Sequence, residues 1–177
     1  MDHRLECHEA MSISGSTIYL ATHITDRLVA LLGEITLING SRTNIGTNIY
    51  ENQPICNEHE LPCITLIEGQ ETGLEREAGL VQTSIEYVIG AFVNRTTTTA
   101  ANYTSDPSSE RAIQGNMIAD IREKLEATWC PLASYSASIT YDGCRRLTHE
   151  EAGETTGIEM TYTIQFGAVD GDFCNTP

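Results

Sequence analysis

Cys56-x2-His59-x3-Cys63 is the cluster in this chain whose residue types and spacing come nearest to a metal site. Thiolates and an imidazole are zinc ligands, but a structural zinc takes four of them, usually as two short-spaced pairs. No second short-spaced pair is present, and His3, Cys7 and His8 could complete the set only by folding back. Cys63 also falls where a buried strand wants a small apolar side chain, a role that free cysteine fills. The expectation is no metal and no cofactor. Six cysteines and five histidines allow many Cys–His nucleophile pairs, and no local pattern selects one. The phosphate-binding loops Gly-x4-Gly-Lys-Ser/Thr and Gly-x-Gly-x2-Gly are absent, as is the Gly-x-Ser-x-Gly elbow. No pair of carboxylates is marked out for acid–base work. The residues therefore predict a protein that is not an enzyme.

What stands out instead is charge. There are 25 acidic residues against 10 basic ones, a formal net charge of −15. Nucleic-acid binders need a basic stripe to displace counterions from phosphates, and the only adjacent basic pair here is Arg145-Arg146. Specific nucleic-acid binding and adsorption to an anionic membrane are both unfavourable. The acid is clustered: Glu51 to Glu86 holds eight Glu and one Arg. Within it, residues 68–79 read as a long hydrophilic hairpin loop with three Gly and with Glu68, Glu71, Glu75, Arg76 and Glu77. Long loops in compact domains are where interaction function concentrates, so these five are the candidate interaction residues.

The elements around that loop follow from periodicity. Ile24, Leu28, Leu31, Leu32 and Ile35 mark one face of a helix near 18–34, and Asn39-Gly40 marks a turn. A short strand or hairpin arm fits 41–60, around Ile49-Tyr50. Residues 61–68 read as a buried strand opened by Leu61-Pro62. The long strand near 80–93 has a second face that is polar at 82, 84 and 86 and apolar at Val88 and Phe92. A Thr-rich linker follows. Asp106-Pro107 then opens a helix near 107–128, with Ile113, Met117, Ile121 and Leu125 as its core stripe and Asp120-Lys124 as an i,i+4 pair. Strands near 135–142 and 157–166 close the order, with Asp142-Gly143 as a turn candidate. The first 17 residues read as an irregular arm and 167–177 as a loose tail. The fold class expected is α+β, a single domain over 1–177. It has a mixed or antiparallel four- to five-stranded sheet with two main helices packed on one face. No apolar run is long enough to span a membrane, and no secretory h-region is visible, so reduced cysteines are the default expectation.

The order of these elements resembles a known family. A helix ends in Leu-Leu, a polar stretch carries Ile49-Tyr50-Glu51-Asn52, and Glu60-Leu61-Pro62-Cys63-Ile64-Thr65-Leu66 opens a central strand. A Glu-rich turn, a long strand ending in Phe92-Val93, the helix Ile118 to Leu125 and the alternating Met160-Thr-Tyr162-Thr-Ile164 complete it. This is similar to the tail terminator (tail completion) proteins of long-tailed bacteriophages, over roughly residues 18–166. The chain departs from them in its longer lead, its 94–105 linker and its acidic 148–157 loop. The resemblance implies a homo-hexameric ring in the virion, at the head-proximal end of the tail tube, assembled in the host cytoplasm. Its partners would be other copies of itself, the tail tube protein and a head-completion or connector protein, with DNA passing through an acidic lumen. A neck or head–tail connector protein is the nearest alternative. A small metal- or ligand-binding cytoplasmic enzyme using Cys56, His59 and Cys63 is the alternative from another class.

Overall fold

The structure is a computed structural model that describes residues 20–54, 56–57, 60–77, 80–94, 109–128, 138–147 and 155–169. Outside these lie the N-terminal arm, His59, the Thr-rich linker, Asp106-Pro107, residues 129–137, the 148–154 acidic segment and residues 170–177. Among the described residues the chain forms an α+β domain with two α-helices, α1 (Leu20–Gly33) and α2 (Glu110–Thr128), and one mixed five-stranded sheet. The strands are β1 (Ile49–Glu51), β2 (Cys63–Glu77), β3 (Leu80–Asn94), β4 (Ser138–Arg146) and β5 (Thr155–Val169). Their order across the sheet is β1-β2-β3-β5-β4. The β1–β2 pair is parallel and every other pair is antiparallel.

The core follows the predicted periods. Alternate residues of β3 and β5, such as Ile85, Tyr87, Ile89 and Met160, Tyr162, Ile164, are fully buried. They share one cluster with the α1 stripe Ile24, Leu28, Leu31, Leu32 and the α2 stripe Ile113, Met117, Ile121, Leu125. A second, smaller cluster forms from Cys56, Cys63, Phe92 and Leu147, flanked by Tyr50 and Leu61. Phe92 and Cys63 pair across β2–β3, one position out of step with the main core, which puts them on the opposite sheet face. There the Phe92 ring lies over two glycines. A Cβ on Gly90 would stand 2.8 Å from Phe92 Cε2, and one on Gly157 would stand 2.8 Å from Cδ1 and 2.9 Å from Leu147 Cδ1.

Four expectations need correction. Residues 68–77 are extended strand, not hairpin loop: β2 runs to Glu77 and pairs with β3 through Glu77↔Leu80. Two register shifts, between Glu68 and Glu71 and between Gly73 and Glu75, each absorb an extra β2 residue, so a Gly-rich, charged sequence still pairs. Asp142-Gly143 is not a turn either. It lies inside β4 at another such shift, and Asp142 Oδ2 accepts the Thr163 hydroxyl at 2.7 Å. Helix α2 starts at Glu110, where Ser109 caps it with its Oγ 3.3 Å from the Ala112 N–H. The final strand continues to Val169, so residues 167–169 belong to the sheet and not to a tail.

Candidate functional site

The five candidate interaction residues share one strand. Glu68, Glu71, Glu75, Arg76 and Glu77 all lie in β2 beyond the part that β1 covers, where the backbone pairs with Leu80–Tyr87 of β3. Short β1 covers the other edge of β2 only at Ile64, Thr65 and Leu66. Beyond that point the backbone edge of β2 has no strand beside it among the described residues. On the far side β4 pairs β5 only from Ile158 to Gln165, so the last four residues of β5 extend past it. The result is a three-stranded ribbon, β2-β3-β5, that outruns both edge strands. Charged side chains on an edge strand oppose indiscriminate pairing while leaving the backbone available to a matched partner.

Where the ribbon leaves the helices, Glu68 is anchored rather than free to swing. The Thr25 hydroxyl of α1 lies 2.9 Å from Glu68 Oε2, 2.9 Å from the Tyr87 hydroxyl and 3.1 Å from the Ala21 carbonyl oxygen. One hydroxyl carries one proton, so Thr25 donates toward Glu68 or Ala21 and accepts from Tyr87. Burial pushes the Tyr87 phenol up to about 12, the Thr25 contact acts against that rise, and the charges of Glu68 and Glu71 add to it. Tyr87 is therefore a neutral donor across the physiological range.

A second anchor was not foreseen. Asp120 of α2 is buried, and its two carboxylate oxygens accept four hydrogen bonds from the 42–43 segment. Oδ1 takes the Arg42 N–H at 3.0 Å and Arg42 Nη1 at 2.9 Å; Oδ2 takes the Thr43 N–H at 2.8 Å and the Thr43 hydroxyl at 2.7 Å. Arg42 also reaches Glu123 at 2.9 Å, and these two carboxylates, Glu123 first, hold its guanidinium above its ordinary range. The expected Asp120–Lys124 pair gives way to this arrangement, and Lys124 pairs with Glu34 instead. Glu34, Asp120, Glu123 and Lys124 line an open polar cleft of about 210 Å³ with Asn39, Gly40 and Ser41. Its carboxylates accept the hydrogen bonds and ion pairs that hold the 42–43 segment and Lys124 to their neighbours. The local sequence marks Asp120 only as half of an i,i+4 pair, because its partners at Arg42 and Thr43 lie far away in the chain.

The Cys56/His59/Cys63 metal reading is overturned for its two thiols. Cys56 and Cys63 form a disulfide, which also corrects the expectation of reduced cysteines. A sulfur committed to a disulfide is not a thiolate ligand. Among the described residues no group of three or more His, Cys, Asp and Glu is placed to hold a metal ion. Cys144 is a free, exposed thiol in β4; burial of its sulfur raises its pKa and the neighbouring Arg146 opposes the rise.

No described helix is long and apolar enough to cross a membrane. Comparison with protein-family models finds no match, and comparison with curated proteins finds none.

Proposed function

We propose that this chain is a structural subunit of the tail-terminator type. In this reading copies of it close into a ring, with six subunits as in the family it resembles. The ring ends polymerisation of a phage tail tube at its head-proximal end and forms the joint to the head. The observation that carries the proposal is the uneven length of the strands. β2, β3 and β5 span fifteen residues each, against three for β1 and nine for β4. The subunit thus offers two unlike open edges, the second half of β2 on one side and β4 on the other. Two unlike edges on one subunit are the condition for a head-to-tail contact, and a head-to-tail contact that closes makes a ring. The element order of the resembling family supports the same reading. An excess of acid along β2 suits a channel through which DNA slides without sticking.

The test is genetic and visual. Virions assembled without this protein should carry tails of uncontrolled length, or tails that fail to join heads, under negative-stain microscopy. The purified protein mixed with tail tubes should cap one end with a ring. Tails of normal length joined normally to heads in the deletion would refute the role.

A further inference from the structure

Parallel neighbours cannot be joined by a tight turn, so the chain must leave the sheet after β1, cross back and re-enter at β2. Of that crossover, residues 52–54, 56–57 and 60–62 are described. Asn52 turns the chain out of β1 at φ 55, a left-handed conformation that asparagine tolerates better than most side chains. Its N–H still reaches back to the Leu66 carbonyl at 2.7 Å. At the other end Asn48 Nδ2 donates to the carbonyls of Glu60 at 2.8 Å and Pro62 at 3.2 Å. Cys56 stands in the middle of the crossover, and its partner Cys63 is the first residue of β2. Cys63 is fully buried, whereas Cys56 is 9% exposed. The crossover is therefore tied covalently to the sheet face that carries Phe92, with Tyr50 of β1 packed against the same small cluster.

We propose that the Cys56–Cys63 disulfide is a redox clasp that sets how much of the β2 edge is covered. Closed, it holds the crossover down and keeps β1 against Ile64–Leu66. Opened, it frees the crossover, β1 frays, and the open edge of β2 extends back from its charged half to Ile64. The inference stands on the crossover and the disulfide and does not require the ring reading. The chemistry is thiol–disulfide exchange with a small disulfide such as oxidised glutathione. One cysteine thiolate attacks that disulfide, expels one small thiolate and forms a mixed disulfide. The second cysteine thiolate then displaces the other small thiolate and closes the clasp. Two protons leave the protein thiols, and two electrons pass to the small disulfide. A small dithiol reverses the sequence, and Cys56, the more exposed residue of the two, is where it enters.

The experiment compares the full chain, treated with oxidised glutathione or with dithiothreitol, by hydrogen exchange resolved to single amides. Iodoacetamide labelling with peptide mapping reports Cys56 and Cys63 in parallel. The expected result is at least tenfold faster exchange of the Ile64 and Asn52 amides after reduction, both of which bond across the β1–β2 pair. The Tyr87 and Tyr162 amides in the centre of the sheet should keep their protection. Cys56→Ser should behave as the reduced form under both conditions; if that variant does not fold, the two states of the unsubstituted chain decide. Equal protection in both states overturns the clasp. So does loss of protection throughout the sheet, which would make the bond a global staple. Full alkylation of Cys56 and Cys63 after glutathione disulfide treatment overturns it as well.

Discussion

At the scale of single residues, the two groups that tie distant parts of this chain together are Asp120 and Tyr87. Asp120 accepts two backbone N–H groups and two side-chain donors, so removing it leaves the Thr43 amide facing a low-dielectric gap. Unmet buried donors cost about 1–3 kcal/mol each, while the ion pair itself adds little because the Arg42 side chain is nearly half exposed. Asp120→Ala is expected to destabilise by roughly 3 kcal/mol in urea unfolding, while Asp120→Asn, which keeps one acceptor, loses less. Equal stability of Asp120→Ala and the parent chain would contradict the anchoring role. Tyr87 gives a pH signature. Its folded pKa is raised from 10.0 to about 12, so the fold favours the protonated phenol. That contribution is fully present below pH 10 and is lost as pH rises toward 12, a decline on the order of 2 kcal/mol. Unfolding titrations should show a steeper fall between pH 10 and 12 for the parent chain than for Tyr87→Phe, which has no proton to lose. Identical slopes would mean that the hydroxyl is not held protonated. Neither residue is marked by the sequence around it: a buried aspartate on a helix reads as half of an i,i+4 pair until the 42–43 segment is placed beside it.

At the scale of elements, the regular patterns were legible and the exceptions were not. The stripes of α1 and α2 and the alternation in β3 and β5 predict those elements, because one buried face imposes its period directly on the sequence. Residues 68–77 carry no such period. The β2 bulges shift the side-chain alternation twice, so a strand that is paired throughout looks like a loop. Asp142-Gly143 misleads for the same reason, since a bulge and a turn both favour Asp and Gly. The disulfide was out of reach too: seven residues of separation fit a loop closure and a metal half-site equally well. Packing on the second sheet face depends on glycines that only the folded pairing explains. Phe92 sits directly across from Gly157 in the β3–β5 register, and its ring occupies the space a side chain there would need. Gly157→Ala should therefore cost about 1–3 kcal/mol through overpacking. Phe92→Leu in the same chain should recover part of that loss, a coupling visible in a double-mutant cycle of chemical denaturation. Strict additivity of the two changes would show that the ring does not limit this position.

At the scale of the whole molecule, the question is what a ribbon edged with acid does once copies assemble. The charge of the chain is −15, and part of that excess lies along β2 from Glu68 to Glu77, at Glu68, Glu71, Glu75 and Glu77, with Arg76 the lone opposing charge there. As a strand, this segment has a backbone held in register with β3 and cannot swing aside like a loop. In the proposed ring its charges face either the lumen or the tube, and both positions make the same substitution informative. Replacing Glu71, Glu75 and Glu77 together by Lys changes the formal charge by +6 without touching the buried clusters. The isolated subunit should keep its fold, with circular dichroism and melting close to those of the parent chain, because none of the three belongs to either buried cluster. Assembly or passage of DNA should suffer. A lumen turned basic binds phosphates and slows ejection, an effect that added salt relieves as screening shortens the reach of the charges. A tube-facing edge with inverted charge loses tail joining instead. Measuring ejection and joining across a salt series separates the two positions. Normal ejection and normal joining at every salt concentration would leave the β2 edge an ordinary solvated one and remove it from the interface.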